Sequence, residues 1–190
     1  MTRAVQPRPR HIVAALAVAA LALPLGACGR EKTTTCAQFE GTYLNVGPLA
    51  YQVQISRQLN PQDLEDRNYM QGVSGKLALD EVWFAIFIRA QNTSSHTQPA
   101  TNDFEITDTL DNRFRPVPVA KTNPYAYKPR PVAPGQLLPS ESSAAGSGVV
   151  QQGSMLLFKI KLSSLSNRPL ELHIKSPTDP KKQGTVELDV

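Results

Sequence analysis

The residues whose side chains could do chemistry are few and widely spaced. The chain has two cysteines, Cys28 and Cys36, and three histidines among its 190 residues. His96 lies in a polar segment and His173 alternates with apolar neighbours, and neither stands in the pattern that places a base beside a nucleophile. The sequence has no Gly-rich phosphate loop and no metal-ligand spacing. We therefore expect no catalytic residue, no cofactor and no metal, and an enzyme is the least favoured class of function.

Four acidic residues lie close together in the middle of the chain and could supply oxygen ligands to Ca²⁺: Asp103, Glu105, Asp108 and Asp111. They do not form the Asp-x-Asp-x-Asp-Gly pattern of a calcium loop. In a strand, Asp103 and Glu105 would share one face while Phe104 points inward. This spacing favours a solvated strand face followed by an acidic turn over a cation site.

Residues 1–27 have the pattern of a secretory signal peptide. Residues 1–11 carry three Arg and no acid, and residues 12–25 are apolar apart from Pro24. Fourteen residues make a helix of about 21 Å, which is too short for a hydrocarbon core of about 30 Å. The pattern therefore predicts export and not a membrane-spanning helix.

The end of this segment, Leu25-Gly26-Ala27-Cys28, resembles the lipobox of bacterial lipoproteins. In that family the Cys thiol receives a diacylglyceryl group and becomes the first residue after cleavage. The resemblance implies lipidation at Cys28 and a membrane anchor at the extracytoplasmic face, because two or more acyl chains hold a protein stably. Cleavage before Cys28 removes three Arg and no acid, so the net charge falls from +4 to +1. The basic composition is therefore no argument for a nucleic-acid partner.

Residues 28–40 are polar and have no apolar period, so they predict a tether between the anchor and a folded domain. Cys36 lies within this tether. If Cys28 is lipidated, Cys36 has no partner in the chain and is unpaired, reactive or modified. The alternative is a Cys28–Cys36 disulfide, which would exclude lipidation of Cys28.

Residues 41–190 predict an all-β domain, because apolar and polar residues alternate repeatedly and no long amphipathic helix is present. Residues 82–90 are apolar on both faces, which indicates a central strand, and Trp83 is expected to fill the space between two sheets. Residues 61–66 predict one helical turn at most. Seven or eight strands of this spacing predict an antiparallel β-sandwich of immunoglobulin type. The predicted strands cover residues 51–55, 82–90, 104–106, 113–115, 155–162, 170–174 and 186–190.

Two long connections interrupt this pattern. Seven Pro between residues 116 and 139 exclude a central strand and predict an extended, partly polyproline II segment. Residues 140–153 are small and polar and predict a flexible loop. Tyr125, Tyr127, Lys128 and Arg130 place aromatic rings beside cations on the stiff segment, which is typical of an interaction surface. The alternative is a covering strap whose two Tyr pack on a sheet edge.

Several motifs of the domain resemble one family. The segments VWFAIFIRAQNTSS, NDFEITDTLDNRFRPV and GSMLLFKIKL are similar to the DUF4352-type immunoglobulin-like domains of Gram-positive lipoproteins. The matching positions are Asn92, Asp103, Phe104, Ile106, Asp108, Asp111, Asn112, Phe114 and Gly153. The resemblance covers residues 41–190 and implies an extracellular, non-enzymatic accessory or binding domain. High use of Ala, Arg and Pro suits a high-G+C actinobacterium.

The sequence thus predicts a membrane-anchored extracytoplasmic lipoprotein. Its sandwich is expected to be a non-catalytic accessory module for an envelope protein or glycan, with no nucleic-acid partner. A purely structural spacer is the main alternative, and an unrecognised extracellular hydrolase is the least favoured one.

Overall fold

The alternating segments form two packed β-sheets in the computed structural model, which describes residues 33–147 and 153–190. Eight strands have four or more residues, and four further strands have only two. Two of the eight, Thr33–Ala37 and Tyr43–Val46, are not among the strands predicted from the sequence. The strands are β1 Thr33–Ala37, β2 Tyr43–Val46, β3 Leu49–Leu59, β4 Glu81–Asn92, β5 Gln98–Pro99, β6 Phe104–Thr107, β7 Arg113–Phe114, β8 Pro131–Val132, β9 Leu137–Leu138, β10 Ser154–Lys161, β11 Leu170–Lys175 and β12 Lys182–Leu188.

One sheet has the order β1-β12-β11-β6-β7, and the other has the order β10-β4-β3-β2 with β9 paired to β4. All these pairings are antiparallel except that of β1, which runs parallel to β12 from Thr33 opposite Lys182 to Ala37 opposite Val186. The expectation of an antiparallel β-sandwich is confirmed. The predicted central strand is also confirmed, since β4 lies between β3 and β10.

The main core lies between the two sheets, because each sheet buries the apolar residues of one face there. Phe84, Ile86 and Ile88 of β4 face Phe104, Ile106 and Leu172 of the other sheet across this core. Beyond them, the core includes Tyr51 and Val53 of β3 and Phe158 and Ile160 of β10, all fully buried. Phe104 points inward, as predicted from its two acidic neighbours.

A second apolar cluster lies on the opposite face of β4 and β10, and we call it the outer cluster. Its buried members are Leu59, Trp83, Ala85, Phe87, Met155 and Leu157. The expectation that Trp83 fills the space between the sheets is therefore wrong. Neighbouring residues of a strand point to opposite faces, and Phe84 takes the inner position. β4 is apolar on both faces because one face lies in the main core and the opposite face belongs to the outer cluster. The second face is not packed against another sheet.

Residues 69–77 and residues 117–119 pack against the outer cluster, whereas Tyr127, Val132 and Leu138 belong to the main core. Helix α1, Leu64–Tyr69, begins at the N-cap Asp63, whose carboxylate accepts hydrogen bonds from two backbone amides. The helix starts three residues later than the predicted turn at residues 61–66 and ends three residues later. Tyr69 at its end packs edge-on against Phe87, with 5.0 Å between ring centroids.

The predicted tether, residues 28–40, overlaps β1, so the folded domain begins at least as early as Thr33. The polar sequence of β1 gives no alternation to detect, because β1 is an edge strand held by backbone pairing to β12. In the predicted flexible loop, residues 140–147 form successive turns, and Ala145 is buried with its carbonyl accepting from Gly153 N at 2.8 Å. Residues 148–152 of that loop lie outside the described residues.

Candidate functional site

Of the two cysteines, only Cys36 belongs to the described residues. It is free and exposed on β1, opposite Thr185 of β12. The predicted lipidation site Cys28 and the predicted signal peptide, residues 1–27, lie outside the described residues. No helix in residues 33–147 and 153–190 is long and apolar enough to cross a membrane.

The outer face of the five-stranded sheet carries a polar concavity of about 380 Å³ that sequence reasoning missed. Its walls come from cross-strand neighbours, since His173 of β11 is in register with Glu105 of β6 and with Thr185 of β12. The lining residues are Glu105, Thr107, Asp111, Arg113, Glu171, His173, Lys175 and Gln183. The concavity thus brings together three acids, two cations and one imidazole.

Glu105 is buried under two guanidinium groups. Its carboxylate oxygens lie 3.0 Å from Arg113 Nη1 and 3.1 Å from Arg115 Nη2. The prediction of a solvated acidic face is therefore wrong for Glu105. Arg113 and Arg115, one and three positions beyond the Asp111-Asn112 turn, are the sequence signal for this cover, because the β6–β7 hairpin folds them back over Glu105.

His173 is held from both sides of its ring. Nε2 lies 2.8 Å from Thr107 Oγ1, and Nδ1 lies 3.2 Å from Thr185 Oγ1 and 3.0 Å from Gln183 Nε2. Burial lowers the pKa of His173 from its ordinary value, and the charges of Glu171 and Glu105 oppose that shift only in part. Both ring nitrogens lie within hydrogen-bond distance of side chains on the two adjacent strands, β6 and β12, and these contacts fix the orientation of the imidazole.

The four acids considered for a cation site do not converge. Asp108 turns back into its own loop, where its carboxylate accepts from Leu110 N at 2.9 Å and from Asn112 Nδ2 at 2.8 Å. Burial raises the pKa of Asp108, but these hydrogen bonds and that from Asn167 outweigh it and hold the pKa well below its usual range. Asp103 pairs with Arg115 at 3.0 Å. Within the described part of the chain, no group of three or more His, Cys, Asp or Glu could hold a metal ion.

His96 lies in the exposed loop after β4, where its Nδ1 is 3.0 Å from Ser95 Oγ. The loop is fixed by Asn92, a fully buried amide that donates to His96 O at 2.8 Å and to Val132 O at 2.7 Å. Asn92 Oδ1 also accepts from Ser94 N at 2.9 Å. The Ser95–His96 contact has no third group to orient it, which agrees with the expectation of a surface histidine.

The proline-rich segment 116–139, which we call the strap, runs along the free edge of β10. Three backbone hydrogen bonds fasten it there: Val117 N to Leu157 O at 2.7 Å, Met155 N to Tyr125 O at 2.7 Å, and Tyr127 N to Met155 O at 2.8 Å. Val117 and Tyr127 are not Pro, so each keeps the backbone N–H that donates to β10. The segment can therefore pair with a strand edge although it contains seven Pro.

Asn123 fixes the middle of the strap. Its buried side chain donates to Tyr69 O at 2.8 Å and to Gln71 O at 2.9 Å. Its Oδ1 accepts from Tyr125 N at 2.8 Å and from Ala126 N at 3.2 Å. One amide therefore joins the strap to the segment that follows α1.

The two tyrosines of the strap have different surroundings. Tyr127 packs edge-on against Phe104 at 5.2 Å and donates its hydroxyl to Thr101 O at 2.8 Å, and burial raises its pKa well above the ordinary value. Tyr125 is half-buried and packs edge-on against Tyr69 at 4.8 Å.

Lys128 and Arg130 point to solvent and line a shallow pocket of about 180 Å³ with Leu138 and Pro139. The four residues predicted as an interaction surface therefore do not form one surface. Tyr125 and Tyr127 pack against other rings of the protein, whereas residues 128–131 are all exposed. For the two tyrosines the structure matches the covering strap.

The chain was compared with known proteins. No family model and no curated protein matches the sequence, so the resemblance to DUF4352-type domains stays a prediction. Solved structures are similar in fold. The yjhA protein of Bacillus subtilis superposes on 80% of this chain and 100% of its own with 14% identity and a TM-score of 0.53. The ycdA protein of Bacillus subtilis, a candidate lipoprotein, matches 80% of this chain with 12% identity and a TM-score of 0.52, over 39% of its own length.

An uncharacterized β-sandwich protein of Clostridium difficile 630 also matches, with 10% identity and a TM-score of 0.46 over 84% of this chain. At these identities the first two likenesses establish the β-sandwich fold and nothing finer.

Proposed function

We propose that this protein is a lipoprotein anchored through Cys28 at the extracytoplasmic face of a bacterial cell membrane. The observation that carries the proposal is the lipobox-like Leu25-Gly26-Ala27-Cys28 at the end of a short apolar segment. The first described strand begins at Thr33, so the sandwich starts five residues after the anchor. The fold of the candidate lipoprotein ycdA supports the same assignment.

The sandwich acts as a non-catalytic module that binds a protein or another component of the cell envelope. Two observations support this part. The histidines and buried acids among the described residues are engaged by structural partners, as shown for His173, Glu105 and Asp108. The domain also exposes large apolar side chains that the fold does not require.

A structural spacer is the second candidate, because the strap packs flat and Tyr127 is internal. The two candidates differ in one respect. A spacer predicts that no exposed position makes a specific contact with another molecule, whereas a binding module predicts such contacts at one surface.

Metabolic labelling with a clickable palmitate tests the anchor. We expect label on the wild-type chain and on Cys36→Ser, and none on Cys28→Ser, since only Cys28 lies in the lipobox-like motif. Cys36→Ser is the matched control because it removes the other cysteine of the chain. Equal label in wild type and Cys28→Ser would refute the lipid anchor.

A further inference from the structure

The strap carries an unbalanced positive charge. Residues 116–139 contain no Asp or Glu, whereas three of them are cations: Lys121, Lys128 and Arg130. The ion pairs found in residues 33–147 and 153–190 include none of these three side chains. Within the part of the chain that the structure describes, the strap therefore presents cations without a contacting carboxylate.

Two of these cations line one pocket, which we call the cationic pocket. Lys128 and Arg130 both belong to its lining, whereas Pro129 between them lines a separate pocket. The cationic pocket has a volume of about 180 Å³, and none of its ten lining residues is acidic. Glu141, the nearest acid along the chain, lines a neighbouring pocket instead. The charge inside the cationic pocket is therefore positive.

Arg130 is oriented by the protein itself. Its Nη1 donates to Pro131 O and its Nη2 donates to Leu137 O, each at 3.3 Å. These contacts use two of the five N–H groups of a guanidinium, which leaves others for a ligand. A guanidinium can bind two oxygens of one anion, and Lys128 adds a second positive charge from the same lining. The pocket therefore has donors for an anion with several oxygens.

The rest of the lining fits the carbon part of a ligand. Leu138, Pro139 and Ala145 are buried residues of this pocket, and the buried Ser154 adds a hydroxyl group. A bare ion would leave the apolar lining uncovered, whereas an ester places an anionic group beside a carbon skeleton. Phosphate oxygens point in tetrahedral directions, so two cations and a hydroxyl can each contact one, whereas the two oxygens of a carboxylate lie in one plane.

The cationic pocket lies at the end of the sandwich where the N-terminal segment enters. Thr33, the start of β1, is opposite Lys182, whose carbonyl accepts from Ser176 N at 3.0 Å. Ser176 lies beside the β2–β3 turn, since a Cβ at Gly47 would be 2.7 Å from its Oγ. The start of β3 pairs with the end of β4, where Leu138 of the pocket is also paired. The pocket and the proposed lipid anchor therefore share one end of the domain, and at a membrane surface this end meets lipid phosphates.

We propose that the cationic pocket is a binding site for the phosphate group of an ester. Arg130 and Lys128 bind the phosphate oxygens, and the apolar lining contacts the carbon skeleton. A phospholipid headgroup and a soluble phosphate ester share this chemistry. The inference gives the proposed binding module a ligand class and rests on that function, whereas the anchor bears only on which of the two esters the pocket meets.

Titration with glycerol 1-phosphate, followed by backbone amide NMR shifts, tests the site. The chain lacking residues 1–28 is suitable, because every described strand begins at or after Thr33. We expect saturable shifts around the pocket, at residues 126–130, 140–146 and 154–155, and none with uncharged glycerol. Glycerate, which carries a carboxylate in place of the phosphate, should bind more weakly.

The double variant Lys128→Gln with Arg130→Gln should weaken the binding of glycerol 1-phosphate about tenfold or more, because charge-assisted hydrogen bonds are lost. Lys181→Gln with Lys182→Gln is the matched control, since it removes the same charge from exposed positions outside the pocket. We expect the control to keep the wild-type dissociation constant. Arg130→Gln also removes two hydrogen bonds of the strap, so Lys128→Gln alone is the second variant and should still weaken binding severalfold.

Vesicles of phosphatidylglycerol and phosphatidylcholine distinguish the two sources of phosphate. Vesicle binding that glycerol 1-phosphate displaces supports the site and assigns it to lipid headgroups, whereas binding of glycerol 1-phosphate without vesicle binding supports it and assigns it to a soluble ester.

Three results would overturn the proposal. These are no saturable shifts with glycerol 1-phosphate, equal affinity for glycerate, and an affinity that is unchanged in Lys128→Gln or that falls equally in the Lys181 and Lys182 control. Palmitate labelling is a separate measurement: an unlabelled wild type refutes the anchor and leaves the result for the pocket intact.

Discussion

Asn123→Ala should loosen the strap, because the buried amide of Asn123, together with the Val73–Val119 β-bridge, joins the strap to the end of α1 and the segment that follows it. The side chain is 1% exposed and makes four hydrogen bonds to backbone groups of Tyr69, Gln71, Tyr125 and Ala126. Alanine removes all four and leaves two carbonyls and two amides to find water.

The expected cost follows from the number of bonds. Each hydrogen bond contributes about 0.5–1.5 kcal/mol net, and part of the loss is recovered where water reaches the freed backbone groups. We therefore expect the free energy of unfolding to fall by about 2–4 kcal/mol. For a domain of this size each kcal/mol shifts the melting temperature by about 2–4 °C, so the melting temperature should fall by roughly 4–16 °C.

Urea titration of the chain lacking residues 1–28 measures this effect, followed by tryptophan fluorescence and by far-UV circular dichroism. Trp83 is the only tryptophan, and it lies in the outer cluster together with Val117 and Val119 of the strap. Its emission should be at shorter wavelength in wild type than in Asn123→Ala, because a loosened strap admits water to the cluster.

Asn102→Ala is the matched control, since Asn102 is exposed beside the strap and the substitution is the same. We expect its free energy of unfolding to lie within about 0.5 kcal/mol of wild type. If Asn123→Ala also stays within that margin, with unchanged Trp83 emission, the account of the strap as a hydrogen-bonded cover is wrong.

Three further predictions concern the core, the outer cluster and pH. Tyr127→Phe should lower the free energy of unfolding by about 1–2 kcal/mol, because it leaves the Thr101 carbonyl without its buried donor. Trp83→Ala should cost about 3–5 kcal/mol through the cavity it leaves in the outer cluster. Asp108→Asn should destabilise the domain at pH 7 but much less at pH 3. A depressed native pKa contributes stability above the unfolded pKa of about 3.9, and this stability is lost as the pH falls.

Each of these predictions has a control and a contrary result. Tyr125→Phe should be nearly neutral in urea titrations, and an equal loss in both Tyr variants would contradict the role of the Tyr127 hydroxyl. Trp83→Phe should recover most of the loss in Trp83→Ala. For Asp108, a difference between wild type and variant that grows towards pH 3 would contradict the sign of the pKa shift.

Most of the fold could be predicted from alternation, because each long strand has one face in a core. The central position of β4 and the turn at Asp111-Asn112 between β6 and β7 can both be predicted from the residue pattern. The edge strand β1 could not be predicted, since a strand held by backbone pairing needs no apolar side chains. Trp83 was assigned to the wrong face, because a strand that is apolar on both faces does not show which face meets the other sheet.

The candidate sites were predicted less well, because side-chain contacts depend on distant segments. The Glu105–Arg113 pair is marked only by the turn between β6 and β7. The polar frame around His173 joins residues from three strands, and no local motif marks it.

The mass of the mature N-terminal peptide, purified from the membrane fraction of cells, tests the central claim most directly. The account predicts that the chain begins at Cys28 and that this residue carries a diacylglyceryl group. A peptide that begins at any other residue, or an unmodified Cys28, would contradict the assignment of this protein as a lipoprotein.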